Sequence, residues 1–248
     1  AYRFELITTN PMAKHVFGSF TKADLSPKGA ALRSDHLPAL FAELIQYQDK
    51  EYLLCLIMLC LGTRIGETRR LKWRYFDADL SRLNIPKELT KTNKALTLPL
   101  SPWLADHLNQ FKASTPNQSA WLFTQAGKPI SKQTASDWVM FVSAGDYQAH
   151  DLRKVARTTW AEIGIDFLVA EQLLNHAVTK LVATYVSAEQ EQQKRLSIEH
   201  YHQHLLSVAP KLPPRSQQFV NHQSSQIGQG LKAFRYSAPQ GSIENGSS

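Results

Sequence analysis

Two arginines stand where a guanidinium could bind a phosphate. Arg64 is predicted to lie at the start of a helix that follows a buried one, and Arg153 in the first turn of another helix, three residues after His150. A helix N-terminus and an arginine together favour a phosphate, because main-chain N–H groups and the guanidinium both donate to its oxygens. Taken singly, each arginine is more simply explained as a surface residue in a salt bridge.

The order and spacing of further polar residues favour the first explanation. The sequence contains these segments in this order: Gly62–Glu67 with Arg64, a polar loop with Lys91, His150–Arg153, Leu173–His176, and Tyr185 nine residues after His176. This set resembles the tyrosine recombinases, also called phage-type integrases. That family has a T-G-x-R-x-x-E-like turn, a lysine in a β-hairpin, an H-x-L-R box, an L-G-H box and a tyrosine nine residues beyond. The resemblance covers roughly residues 35–205. The segment Arg64–Glu67 is most similar to integrases of genomic islands and temperate phages.

The resemblance implies a role for each residue in breaking a DNA strand. Tyr185 would attack the scissile phosphate, forming a 3′-phosphotyrosine and releasing a 5′-hydroxyl. Arg64 and Arg153 would stabilise the charge that develops on the phosphate. His150 would hydrogen-bond the phosphate and help to deprotonate the tyrosine, and His176 would donate to a non-bridging oxygen.

The proton donor for the leaving oxygen is expected on a hairpin. The resemblance implies Lys91, because it stands eight residues before Pro99, as the family's catalytic lysine does before a proline. Lys94 and Lys154 are predicted to contact DNA. Asn175 replaces the family's usual glycine before the second histidine, which removes no functional group.

Neither a metal nor a cofactor is expected. The energy of the cleaved bond would be kept in the protein–DNA link, and the sequence has neither a Gly-rich phosphate loop nor an acidic metal cluster. His200 and His204 have the spacing to share a metal on one helix face, but no third ligand is placed to complete the site.

Three other functions are alternatives to a recombinase. A catalytically silent DNA-binding regulator with the same fold is disfavoured by the intact residue set, and a metal-dependent nuclease by the missing carboxylates. A topoisomerase IB-like relaxing enzyme would share the phosphotyrosine step. Residues 189–206 resemble the helix that recombinases pass to a neighbouring subunit, which favours a recombinase that integrates and excises a phage or genomic island.

Composition agrees with an acidic partner. The 248 residues include 28 Lys and Arg against 21 Asp and Glu, a net charge of +7, and the pI is about 9.4. This balance favours a polyanionic partner such as nucleic acid, and the resemblance implies double-stranded DNA. Cys55 and Cys60 lie in one apolar run without metal-ligand spacing, which is typical of buried thiols in a reducing compartment. The apolar run 52–61 is too short to span a bilayer.

The resemblance implies a bacterial cytoplasmic protein that associates with the nucleoid when it is on DNA. It also implies a homotetramer on attachment-site DNA, with a monomer in isolation, and an excision directionality factor as a further partner.

The elements that must position these residues are predicted to be mainly helices with a small antiparallel β-hairpin or three-stranded sheet, the DNA breaking-rejoining enzyme fold. Apolar spacing predicts a helix capped by Asp35, a buried helix over 51–61 ended by Gly62, and a helix capped by Thr63. The hairpin is predicted over 83–100. Further helices are predicted over 101–112, 131–143, 151–163, 166–174, 181–185 and 189–206, the last with Leu196, Tyr201 and Leu205 as its apolar contacts.

Three regions are predicted along the chain. Residues 1–34 read as a linker or irregular arm, residues 35–208 as the catalytic domain, and residues 209–248 as a disordered tail. Because the chain starts at Ala1 and residues 1–34 are too short for a DNA-binding domain, we expect it to be the catalytic domain of a longer integrase.

Overall fold

The computed structural model describes residues 31–47, 49–115, 119–176 and 188–210. Its helices are α1 (Leu37–Gln46), α2 (Lys50–Leu61), α3 (Ile65–Thr68), α4 (Pro102–Ser114), α5 (Lys132–Val142), α6 (Ala149–Glu162), α7 (Phe167–Leu173) and α8 (Ala188–Val208). Its strands are β1 (Arg82–Ile85), β2 (Leu96–Pro99), β3 (Thr124–Gln125) and β4 (Lys128–Pro129). The predicted mainly α fold is confirmed. Among the described helices, none combines the length and apolarity needed to cross a bilayer.

Helix α2 forms the centre of the core. Its side chains from Leu53 to Leu61 are all buried, and α1, α5 and α6 pack around it. The helix ends at Gly62, which has φ 62°. A Cβ added to Gly62 would lie 2.9 Å from both Leu174 Cδ2 and Trp160 Cη2. The glycine is therefore required by its left-handed conformation and by the close approach of two side chains.

Helix α8 packs against the core through three side chains. Ile198, Tyr201 and Leu205 are fully buried, whereas Leu196 is 55% exposed, so the prediction of Leu196 as an apolar contact was wrong. The Tyr201 hydroxyl donates to Leu59 O at 3.3 Å, which joins α8 to the carboxyl end of α2.

The predicted hairpin is confirmed. Strands β1 and β2 pair antiparallel, with Leu83 opposite Leu98; both side chains are fully buried. Phe76 adds a single antiparallel bridge to Leu83. The short pair β3–β4 was not predicted, because strands of two residues carry too little alternation to be recognised.

Some details of the helix starts differ from prediction. Asp35 does not cap α1, since it lies in a 3-10 turn and His36 occupies the cap position. Arg64, not Thr63, occupies the cap position of α3. Arg153 lies in the second turn of α6 rather than the first, because this helix begins at Ala149. The predicted Asp166 cap is confirmed by its hydrogen bonds from the main-chain N–H groups of α7.

Several predictions lie outside the described residues. The predicted helix over 181–185, with Tyr185, is one of them. Most of the predicted arm (1–34) and tail (209–248) also lies outside, so the predicted division of the chain stays a prediction.

Candidate active site

Arg153 joins three segments of the chain. Its side chain lies on α6 and the residue is 4% exposed. Nη1 donates to Gly62 O, and Nη2 donates to Leu174 O at 2.7 Å. The same Nη2 lies 3.0 Å from His176 Nε2. The guanidinium fork thus holds the end of α2 and the turn after α7 in one place.

Arg153 stays positively charged in spite of this burial. Burial first, and then the charge of Arg64, lower its pKa to about 10, while Glu67 and Glu171 oppose the shift. A pKa near 10 leaves the guanidinium protonated at neutral pH. The site therefore contains a fixed cation that is poorly solvated, which strengthens its attraction for an anion.

Arg64 is held by a carboxylate. Its main-chain N donates to Glu67 Oε2 at 2.9 Å, and Nη1 donates to Oε1 at 3.0 Å. Glu67 is buried, while the Arg64 side chain is 25% exposed. Because a guanidinium has five N–H donors, this contact leaves it capacity to bind a phosphate.

His176 is oriented by a chain of polar contacts. Its Nδ1 lies 2.6 Å from Glu171 Oε2, and Arg157 Nε donates to the other Glu171 oxygen at 3.0 Å. Burial alone would raise the pKa of Glu171, but hydrogen bonds from His176 and Arg157 outweigh it and the net pKa is lowered. Since Arg153 can only donate, Nε2 accepts from it and the ring hydrogen resides on Nδ1.

His150 lies in the first turn of α6 and is exposed. Partial burial first, then the cations Lys154 and Arg153, lower its pKa, against the opposing charge of Asp151. The imidazole is therefore mostly neutral at pH 7 and able to accept a proton. Lys154 is exposed and forms an ion pair with Asp151 at 3.5 Å.

The hairpin brings its lysines to the same region. Lys91 and Lys94 are both exposed in the turn between β1 and β2. Asn175 Nδ2 donates to Lys94 O at 3.0 Å. Because Asn175 directly precedes His176, this hydrogen bond brings the turn with the two lysines next to the histidine.

The described residues thus bring together Arg153 and His176 in direct contact, with Arg64 near enough for its charge to act on Arg153. His150 and the hairpin turn border this cluster. Tyr185 lies outside the described residues. Sequence reasoning missed Glu171 and Arg157, although Glu171 stands five residues before His176 and Arg157 four after Arg153.

A metal centre finds no support in the described part of the chain. It contains no group of three or more His, Cys, Asp or Glu side chains that could hold a metal ion. Cys55 and Cys60 are buried free thiols, and burial raises the pKa of both.

The sequence matches a known family, since residues 30–192 match the model of the phage integrase family. A curated relative is the tyrosine recombinase XerA of Thermococcus kodakarensis, 24% identical over 178 residues, which cover 66% of this chain and 62% of that protein. The chain thus spans about three fifths of the length of this relative.

Solved structures share the fold. The integrase from mycobacterium phage Brujita superposes with a TM-score of 0.56 at 17% identity, over 77% of this chain and 66% of that one. The XerA recombinase crystal structure gives a TM-score of 0.51 at 19% identity, over 77% and 68% of the two chains. A lambda integrase dimer bound to a COC′ core site gives 0.53 at 17% identity, over 76% and 55%. At these identities the likeness concerns the fold alone.

Proposed function

Because this chain belongs to the phage integrase family, we propose that it is a site-specific recombinase that cuts and rejoins double-stranded DNA through a 3′-phosphotyrosine intermediate. One observation carries the proposal: the buried cation Arg153, held by Gly62 O and Leu174 O, directly contacts His176. A preorganised cation beside a histidine suits the charge that develops on a phosphate during transfer.

The two arginines would stabilise the phosphorane. Arg153 is fixed before DNA arrives, so its orientation costs no reorganisation during the reaction. Arg64 is held by Glu67 at 3.0 Å and would bind a second non-bridging oxygen. His176 would donate to a non-bridging oxygen through Nε2 once the phosphate replaces Nε2 as the acceptor for Arg153 Nη2, with the Glu171 carboxylate beside Nδ1 to balance the imidazolium charge.

Tyr185 would be the nucleophile, and its oxygen would form the bond to phosphorus as the bond to the 5′ oxygen breaks. His150, whose pKa is lowered, would accept the phenolic proton. Lys91 would give a proton to the departing 5′ oxygen. Rejoining would reverse these steps with a new 5′-hydroxyl, so no external energy source is consumed.

The partners follow from this reaction. We propose attachment-site DNA as the substrate, a homotetramer on DNA with a monomer in isolation, and a directionality factor for excision of a phage or genomic island. The lambda integrase structure with its core site supports a DNA partner, as does the net charge of +7. Lys94 and Lys154 are proposed DNA contacts. We place the reaction in the bacterial cytoplasm, on nucleoid DNA.

We also propose that the chain is the catalytic portion of a longer integrase. In that case it clamps only part of the phosphate backbone, so its DNA binding should be weak. Because the contacts that it keeps are mainly ionic, the affinity should still fall as the salt concentration rises. The affinity for DNA should fall on the order of 1000-fold when the salt concentration rises from 50 to 200 mM. Tight binding that is insensitive to salt would contradict this proposal.

A nicked suicide duplex with the element's attachment site tests the chemistry. The parent chain and a Tyr185→Phe variant are incubated with it in EDTA, and covalent protein–DNA adducts are separated by denaturing electrophoresis. We expect an adduct from the parent only. An adduct from the phenylalanine variant would assign the nucleophile to another residue.

This experiment and two companion assays separate the alternatives. Binding without adduct from either protein would favour a silent DNA-binding regulator, or a domain that needs its missing partner. Relaxation of a supercoiled plasmid without any strand exchange would favour a topoisomerase IB-like enzyme. Cleavage that occurs with a divalent metal and is abolished by EDTA would favour a metal-dependent nuclease.

A further inference from the structure

We propose that Asn175 and Arg70 are positioning residues for the lysine hairpin, defined here as strands β1 and β2 with the intervening residues 86–95. They hold the two ends of its turn and so set where Lys91 meets the leaving oxygen. This inference rests on the proposed function of Lys91 as proton donor.

Asn175 ties one end of the turn. It is 8% exposed and has φ 51°, a left-handed conformation that glycine adopts at lower cost. Its Nδ2 donates to Lys94 O at 3.0 Å. A glycine, usual at this place in the family, could support the same backbone but could not make this bond. The side chain therefore adds a link between the His176 turn and the hairpin.

Arg70 ties the other end. Its Nε donates to Gly66 O at 2.7 Å, and Nη2 donates to Leu89 O at 2.9 Å. Gly66 lies on α3, two residues after Arg64. The planar guanidinium makes both bonds at once, so it holds the start of the turn against helix α3, which Arg64 precedes.

The two ties flank Lys91. The Thr90 hydroxyl lies within donating distance of both Lys94 O, at 2.8 Å, and Lys87 O, at 3.0 Å. It also accepts from Lys94 N at 3.2 Å, which closes the turn internally. The Lys91 side chain itself is exposed. With so few restraints on the side chain, the main chain beneath it decides the volume its ammonium group can reach.

The hairpin does not need these ties in order to fold. Its strands are paired, and across them Thr97 Oγ1 donates to Asn84 Oδ1 at 3.0 Å. Loss of Asn175 or Arg70 should therefore release the turn while the strands stay paired. A loose proton donor slows the step that needs it, since general-acid catalysis depends on geometry.

A sulfur substitution isolates that step. The 248-residue chain and its Asn175→Gly and Arg70→Met variants react with two nicked suicide duplexes. One has the natural bond, and the other has sulfur in place of the leaving 5′ oxygen. A thiolate leaves without a proton, so it bypasses the lysine. With the oxygen substrate we expect adduct formation about 10-fold slower in each variant and slower still in the double variant. With the sulfur substrate, rates should stay within about 2-fold of the parent.

Controls test whether the effect acts through Lys91. Lys91→Ala should be slow with oxygen and restored with sulfur, and Asn175→Gly should slow it no further. Asn175→Asp, which keeps the shape but cannot donate, should behave like Asn175→Gly. The matched control Asn84→Ala removes side-chain hydrogen bonds to Asp77 and Thr97 on the same hairpin but neither tie at the turn, so both rates should stay within about 2-fold of the parent.

Two results would count against the inference. Equal slowing with both substrates, or parent rates from Asn175→Gly and Arg70→Met, would overturn the positioning role. No adduct from the parent with either substrate would instead defeat the proposed function, and this inference with it.

Discussion

Two polar networks reach the carboxyl end of helix α2 from different sides. On the side of the candidate active site, Arg153 donates to Gly62 O. Beneath helix α8, His202 Nε2 donates to Cys60 O at 3.0 Å, beside the Tyr201 bond to Leu59 O. All of these bonds satisfy carbonyl groups that a helix end leaves without a donor of its own. One donor is a cation, whereas the others are neutral.

The difference follows from what each network adjoins. His202 is sealed in the core, with Nδ1 2.7 Å from Ser101 Oγ, and burial lowers its pKa to about 4 despite the hydrogen bond to Cys60. Arg153 keeps its charge, with a pKa of about 10, and touches His176, whose side chain is 40% exposed. A closed network favours neutral donors, and a charge is retained where the network opens to the surface at His176.

The largest expected effect comes from a substitution in the charged network, at Arg153. Arg153→Lys keeps a cation but cannot span Gly62 O, Leu174 O and His176 at once, because an ammonium group lacks the planar fork. Adduct formation should fall on the order of 1000-fold, measured with the nicked duplex. Arg157→Lys, one turn along α6, serves as the control and should stay within a few-fold of the parent. A similar rate for Arg153→Lys would mean that charge alone suffices.

The neutral network around His202 should make the free energy of unfolding depend on pH. The pKa of His202 falls from 6.5 to about 4 on folding, so the unfolded chain binds more protons between these values. The stabilisation that neutral His202 contributes is therefore complete above about pH 6.5. It is lost as the pH falls toward 4, by about 1 kcal/mol in the free energy of unfolding per pH unit.

Urea unfolding between pH 4.5 and 7 measures that slope. His202→Gln keeps a donor for Cys60 O and an acceptor for Ser101, but it does not titrate. Its stability should therefore vary less with pH than that of the parent. Identical slopes for the two proteins would show that His202 titrates normally in the folded state.

Gly62 lies next to both networks, and a substitution there tests the close packing at the end of α2. Gly62→Ala adds a Cβ 2.9 Å from Leu174 and Trp160 at φ 62°. We expect a loss of about 2 kcal/mol in the free energy of unfolding. Gly66→Ala is the matched control, since a Cβ there meets nothing within 4 Å. It should be neutral or stabilising by up to about 1 kcal/mol. Equal losses would refute the steric explanation.

The smallest effect tests the outer support of the charged network. Glu171→Gln keeps an acceptor for His176 Nδ1 but removes the negative charge that faces Arg157. Adduct formation should slow about 5-fold, because charge-assisted hydrogen bonds are stronger than neutral ones. Glu162→Gln on α6, whose carboxylate accepts from Ser34, is the control. A loss as large as that of Arg153→Lys would make Glu171 as important as the arginine.

Several elements could be predicted because their signals are local. The uniform apolar run of α2, the alternation around β1 and β2, and the Asp166 cap each depend on residues close in sequence. Leu196 was placed on the buried face of α8 wrongly. The helix is polar and helix-prone throughout, and its buried face was set by packing of Ile198, Tyr201 and Leu205 against the core.

The charged groups, their order and the family of the chain could be predicted from the sequence, because motif spacing is a property of the chain alone. Which of these groups meet depends on tertiary packing. Arg153 reaches His176 across 23 residues, and Asn175 reaches the hairpin across 81. Such contacts depend on how helices pack around α2, and side chains far apart in sequence carry no local signal of their partners.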